Sequence, residues 1–133
     1  IACGICHSLG YGDNFQAVLI SNAACEMRRF MKSTCEGQIN IKKSAYLGDL
    51  LVTCYSQFSR NRMLGNMLGK GYTIKSAKAE MTMVAEGYYA AALVAKIRKK
   101  QEVRMPIVKA VYEVLYEGKS AKKTMAKLAQ KLT

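Results

Sequence analysis

Three short segments of this sequence carry side chains whose types and spacing suit chemistry: Cys3-Gly4-Ile5-Cys6-His7, Leu47-Gly48-Asp49-Leu50-Leu51-Val52-Thr53-Cys54 and Ser59-Arg60-Asn61-Arg62. The third is the most pointed. A helix start attracts anions, because its first backbone N–H groups lack an intrahelical acceptor and the helix dipole is positive there. Ser59 reads as the cap of such a start, which puts Arg60 and Asn61 in its first turn. A guanidinium in that position opposes the dipole, and a bound anion resolves the conflict; its planar fork suits phosphate. A solvated arginine on a surface turn is the competing reading. In the second segment Asp49 and Thr53 are four residues apart and share one helix face. A carboxylate beside Leu50, Leu51 and Val52 needs a positive or hydrogen-bonding partner. An ordinary pairing with a surface lysine would also satisfy it.

The first segment matches the attachment signature of c-type haem, and eight methionines offer axial ligands. The same residues also read as an apolar helix whose cysteines act as small hydrophobes. Nothing in the sequence points to export, which covalent haem requires, so the packing reading is preferred. The five cysteines are odd in number and show no zinc spacing beyond that single Cys-x-x-Cys. A reduced, cytoplasmic protein without a metal site is the simplest reading. His7 is the only histidine and has no triad-like neighbour, so it is assigned no chemistry. Glu86-Gly87 reads as an acid in a helix's first turn, where the dipole favours it.

The formal net charge of +12 predicts attraction to anions: nucleic acid, an acidic membrane surface or phosphorylated small molecules. Much of it lies in Lys96, Arg98, Lys99, Lys100 and the stretch 119–131, which read first as solvated helix faces. No aromatic residues are interleaved there to stack on bases. A basic helical nucleic-acid-binding module is therefore the alternative rather than the leading reading. No apolar run approaches the ~20 residues of a membrane helix. The chain opens on Ile1 and is expected to be a fragment or processed product.

The elements that must position these groups all read as helices, and the expected fold class is all-α in a single domain, 1–133. A first helix over residues 1–9 is broken by Gly10-Tyr11-Gly12. Asp13 or Asn14 is expected to cap a long second helix that buries Phe15, Val18, Leu19, Ala23, Met27, Phe30 and Met31 and ends at Gly37. A third covers 41–55. Ser59, Thr73 and Ser120 are expected caps, and Pro106 suits a first turn. Tyr89, Leu93 and Ile97 are expected to line a sixth helix. Ile107, Val108, Val111, Tyr112 and Leu115 line a seventh that stops at Gly118. Ala121, Met125, Leu128 and Leu132 face inward on the last.

In order and at these distances, Gly10-Tyr11-Gly12-Asp13-Asn14, Leu47–Cys54, Ser59–Arg62, Val84-Ala85-Glu86-Gly87, Met105-Pro106-Ile107-Val108 and Val114-Leu115-Tyr116-Glu117-Gly118 resemble the C-terminal half of bacterial NAD(P)-dependent sn-glycerol-3-phosphate dehydrogenases. The resemblance covers nearly the whole chain. It implies a helical bundle like the C-terminal domains of glycerol-3-phosphate and 6-phosphogluconate dehydrogenases. It implies dihydroxyacetone phosphate and sn-glycerol 3-phosphate as the reacting pair, NAD or NADP as cofactor, and a supply of glycerol 3-phosphate for phospholipid synthesis. Asp49 and Thr53 match catalytic positions. Asp49, Ser59, Arg60 and Asn61 match the substrate site, and Arg60, Val84 and Glu86 match cofactor contacts. The catalytic lysine and the dinucleotide-binding domain would lie upstream of Ile1, so the isolated chain is expected to be inactive. The implied partners are the small phosphate substrate, that N-terminal domain and a second copy as a homodimer, with no nucleic acid and no membrane insertion. His7-Ser8 and Ser44-Ala45-Tyr46 depart from the family pattern. NADPH against NADH, and the oligomeric state, stay open.

Overall fold

A computed structural model describes residues 1–37 and 39–133, with nothing said of the Ser44 side chain. Those residues form eight α-helices and no strand. In chain order they are α1 (Ala2–Ser8), α2 (Asp13–Thr34), α3 (Asp49–Tyr55), α4 (Arg60–Gly69), α5 (Ile74–Glu80), α6 (Gly87–Lys100), α7 (Pro106–Tyr116) and α8 (Ala121–Ala129); one π-helical turn, Ser44–Gly48, leads into α3.

The centre of the bundle is the short helix α1. Residues 2–6 are all buried, and Ile5 and Cys6 are fully so. Seven residues could not hold a helix alone; this one is held by neighbours on every side. Its tightest neighbour is α4, and glycines set that distance. A Cβ on Gly4 would run into the Arg62 carbonyl and stand 2.8 Å from the Asn66 nitrogen. A Cβ on Gly65 would run into the Ile1 carbonyl, and one on Gly69 into the Ser8 hydroxyl. The two backbones meet because none of these three positions carries a side chain. Around the crossing pack Leu19 of α2, Leu64 and Leu68 of α4, and Met125 and Leu128 of α8. Gln16 of α2 is buried and donates from Nε2 to the Cys3 carbonyl at 3.0 Å.

The expected caps hold at three helices. Ser59 Oγ accepts from the Arg62 N–H, Thr73 Oγ1 from the Ser76 N–H and Ser120 Oγ from the Lys123 N–H. The second helix differs from expectation. Gly12 occupies its cap position, and Asp13 is the first helical residue, with no side-chain cap bond. The helix ends at Thr34, and Gly37 sits beyond it with φ +98°. Val18 is exposed, whereas Gln16, Ile20 and Glu26 are buried instead. The expected helix over 41–55 is the π turn followed by α3. In α6, Tyr89 and Leu93 are exposed, so the stripe they form faces away from the core. Pro106 is the first residue of α7, as expected.

Glu26, which no local sequence signal marks, caps α7. Its carboxylate is 2 % exposed and accepts from the Ile107 N–H at 2.6 Å and the Val108 N–H at 3.2 Å. Pro106 brings no N–H of its own, so these are the first donors of that helix. Burial pushes the Glu26 carboxyl above its ordinary range; the two N–H donors, then Arg29 and Arg98, oppose the shift without cancelling it.

Candidate functional site

The start of α4 is fixed from two directions. Behind it, the α1 crossing sets its depth. Beside it, Asn61 reaches across to α6: its Oδ1 accepts the Gly87 N–H at 2.8 Å. Asn61 thereby supplies the side-chain acceptor that Glu86, at the α6 cap position, does not. A Cβ on Gly87 would lie 2.6 Å from that oxygen, so glycine is what permits the approach. The bond also fixes which way the Asn61 amide faces, with its NH₂ left to donate elsewhere. The start of α6 is held in turn by aromatic residues. Tyr116 donates to the Tyr88 carbonyl at 2.5 Å, and the Tyr88 and Tyr116 rings stack at 4.8 Å.

These links gather Thr53 and Ser56 from the end of α3, Ser59, Arg60 and Asn61 from the start of α4, and Glu86 from the start of α6 around one groove of about 340 Å3. Arg60 and Glu86 are exposed, and neither forms an ion pair among the described residues. Val52 and Phe58 complete the walls. Phe58 is 83 % and Val52 67 % exposed. The donor set (one guanidinium, two first-turn N–H groups, an oriented amide and three hydroxyls) suits a phosphate ester. The Glu86 carboxylate accepts hydrogen bonds only, which suits a sugar or glycerol hydroxyl.

The other expected site residues lie nearby but apart. Asp49 opens α3 one turn before Thr53, is exposed, and has no ion pair among the described residues. It does not line the groove. Val84 lines a neighbouring cleft of about 100 Å3 with Tyr88, Tyr89 and Lys78, whose ammonium lies 4.3 Å from the Tyr88 ring centroid. Ser56 and Phe58 were not singled out from the sequence, and Gly87 was marked there only as the partner of Glu86 at a helix start. Ser56 and Phe58 stand in the connector between α3 and α4, which is the signal that could have found them.

Cys3 and Cys6 are buried against α4 and act as small hydrophobes, and His7 is exposed. Haem attachment would need both thiols at an open face, so the cytochrome reading is dropped. Among the described residues no three His, Cys, Asp or Glu side chains cluster as a metal site. The neighbouring Cys3 lowers the Cys54 thiol of α3 to about 7 against the effect of burial, while Cys54 and burial together raise the Cys3 thiol. Burial pushes Cys6 up to about 12.

The family described as NAD-dependent glycerol-3-phosphate dehydrogenase C-terminus matches residues 1–126. A glycerol-3-phosphate dehydrogenase [NAD(P)+] of Chlorobium limicola is 40 % identical over 128 residues, which is 96 % of this chain and 38 % of that protein. One of Chlamydia abortus is 38 % identical over 133 residues, 100 % of this chain and 40 % of that protein. The 2.1 Å crystal structure of glycerol-3-phosphate dehydrogenase from Coxiella burnetii superposes with a TM-score of 0.91 at 32 % identity, covering 96 % of this chain and 39 % of that one. The chain thus spans about two fifths of the length of the relatives it matches.

Proposed function

This chain belongs to the family of NAD-dependent glycerol-3-phosphate dehydrogenase C-terminal domains, and from that premise we propose that it is the substrate-binding half of an oxidoreductase. The reaction interconverts dihydroxyacetone phosphate and sn-glycerol 3-phosphate, supplying glycerol 3-phosphate for phospholipid synthesis. Residues 1–133 form a single domain that works with an N-terminal dinucleotide-binding domain, as a cytoplasmic enzyme; no helix of the described residues is long and apolar enough to cross a membrane. The observation that carries the proposal is the groove in which Thr53, Ser59, Arg60, Asn61 and Glu86 converge.

Arg60 anchors the substrate phosphate from the start of α4, where backbone N–H groups reinforce it. Asn61, held by Gly87, donates to the same anion through its NH₂. The phosphate is remote from the reacting carbon, so its binding energy serves to place that carbon. Thr53 offers a hydroxyl toward the reacting end. Asp49, one turn further back, orients the proton-transferring lysine that the family supplies from the segment preceding this one. NAD or NADP, when bound, supplies hydride. The groove fits part of such a cofactor, with Arg60 offering charge to its phosphates and Glu86 accepting from its hydroxyls, and the exposed Val84 of the neighbouring cleft would cover an apolar ring face. The exposed apolar residues around the groove are the surface that the dinucleotide-binding domain covers.

Arg60→Ala tests this in the complete dehydrogenase. A charge-assisted hydrogen bond to phosphate is worth about 1.5–3 kcal/mol. The variant is therefore expected to lose roughly ten- to a hundredfold in kcat/KM. Unchanged steady-state kinetics would remove Arg60 from the site. The chain by itself is expected to show no NAD(P)H oxidation with dihydroxyacetone phosphate.

A further inference from the structure

We propose that the trough between α7 and α8 is a second anion site, separate from the groove at α3 and α4, whose ligand is a linear oligophosphate. The trough has a volume of about 470 Å3. Lys119, Lys123, Lys127 and Lys131 line it from one side at steps of four, and Lys109 lines it from α7. Lys123 and Lys127 share one face of α8 about 6 Å apart along its axis, while Lys119 stands before the helix and Lys131 in the turn after it. The lysines thus converge on the trough from α7, α8 and the segments flanking α8. Glu113 is the only acid in the lining, and it is already engaged by Lys119 at 3.0 Å. The same ammonium reaches Glu117 at 3.0 Å. Lys109, Lys123, Lys127 and Lys131 have no carboxylate partner among the described residues. On a convex helix face such cations splay into solvent. Along a trough they repel across a confined space and focus a positive potential into it.

A second observation points to a ligand independently of the charge. Thr124 lines the same trough, is only 6 % exposed, and its hydroxyl makes no hydrogen bond among the described residues. The hydroxyl oxygen is not itself shut off from solvent, so it is free to donate to an anion in the trough. It sits one turn into α8. There Ser120 Oγ takes the Lys123 N–H and Ser120 O takes the Thr124 N–H, which leaves the Ala121 and Lys122 N–H groups without an acceptor. Cations along the walls with a hydroxyl and free N–H groups at one end form a phosphate-binding set.

The shape selects the kind of phosphate. No aromatic side chain lines the trough, so the bases of a single strand would have nothing to stack on. Insertion into a membrane needs protruding apolar side chains, whereas the apolar residues of the lining, Pro106, Ala110 and Leu128, are half-buried or buried. A slender chain of phosphates fits, whether it is inorganic or the tail of a nucleotide.

The experiment titrates inorganic tripolyphosphate, ATP and AMP into the chain by calorimetry, with melting curves alongside. Tripolyphosphate, ATP or both are expected to bind at one site, raise Tm and weaken with salt, with AMP at least about tenfold weaker. Binding of both identifies the phosphate chain as the ligand. Tripolyphosphate alone points to an inorganic source, and ATP alone to a nucleotide. Lys123→Gln with Lys127→Gln is expected to lower affinity about tenfold or more, and Thr124→Val severalfold. The pair Lys75→Gln and Lys96→Gln, elsewhere on the surface, is expected to leave it unchanged. Three results would overturn the proposal. One is equal loss with the Lys75/Lys96 pair, which would reduce the effect to bulk charge. Another is loss with Arg60→Ala, which would put the anion in the other groove. The third is tighter binding of duplex DNA or phosphatidylserine vesicles through Lys123 and Lys127 than of tripolyphosphate. Because the test reads binding and not turnover, its outcome is independent of whether the dehydrogenase reading stands.

Discussion

The crossing of α1 with α4 and the face formed by the α3–α4 connector and α6 both bear on the same ten-residue helix, and they are built on opposite terms. At the crossing the apolar packing is complete within the chain, although Arg62 Nε and Asn66 Oδ1 of α4 are buried there without a hydrogen-bond partner. Ile5, Cys6 and Leu64 are buried, and the backbones touch through Gly4, Gly65 and Gly69. At the other face Phe58, Val52, Val84 and Leu93 are bare, and Asp49, Arg60 and Glu86 have no ion-pair partner. The difference teaches where the stability of this chain resides and where its chemistry resides. The first region holds α4 still; the second uses the end of α4 that is thereby held. Substitutions should divide the same way, into those that unfold the chain and those that leave its fold untouched.

The largest effect is expected at the crossing. Gly4→Ala puts a methyl against the Arg62 carbonyl and near the Asn66 nitrogen, both of them backbone atoms that cannot rotate away. Overpacking of this kind costs about 3 kcal/mol or more when the obstacle is rigid. That is a large part of the stability of a domain this size. Urea denaturation should show a markedly lower midpoint with an unchanged m-value. A variant as stable as the parent would mean that the two helices part at little cost and that the start of α4 is not fixed from behind.

A smaller effect, with a pH signature, is expected at Glu26. Glu26→Ala leaves the Ile107 and Val108 N–H groups without their acceptor, at about 2–3 kcal/mol. Ionisation works the other way. Burial raises the carboxyl above 4.5, so the folded state keeps the proton to higher pH than the unfolded chain does. The stability linked to that proton is complete below the unfolded value and is lost as pH rises through the folded one. Glu26→Gln keeps an oxygen acceptor and cannot ionise. Relative to the parent, its Tm should therefore rise as pH climbs above the ordinary carboxylate range and through the raised Glu26 value. A constant difference over that range would show that the N–H donors fully offset the burial.

The two regions also differ in how much of them the sequence disclosed. Helix starts were readable at Ser59, Thr73 and Ser120 because a hydroxyl capping its own helix is local chemistry. Gly12 took the place expected for Asp13 or Asn14 because cap preferences are close, and the turn through Gly10 fixes the approach of the chain. The groove residues Thr53, Ser59, Arg60 and Asn61 were legible from type and spacing. What makes them a site was not: the bond from Asn61 to Gly87 joins residues 26 apart in sequence. Glu26 was invisible for the same reason, since its two N–H partners lie 81 and 82 residues away. Tyr89 and Leu93 show the limit of periodicity. An apolar stripe announces that a helix face will be covered, but it does not name the cover, and on α6 these two residues are left bare within this chain.

The smallest effect on stability, and the sharpest test of the contrast, is expected at Phe58. A residue 83 % exposed has little burial to lose, so Phe58→Ser should shift the folding free energy by no more than about 0.5 kcal/mol. If the face is bare only because another domain covers it, the same change must be costly where that domain is present. An aromatic side chain that becomes buried contributes about 1.5–3 kcal/mol. In the complete dehydrogenase Phe58→Ser should therefore lower Tm or raise KM while the chain alone is indifferent. Equal indifference in both would mean that Phe58 meets solvent throughout. The apolar face would then be an accident of composition, and only the arginine end of α4 would still argue for a partner domain.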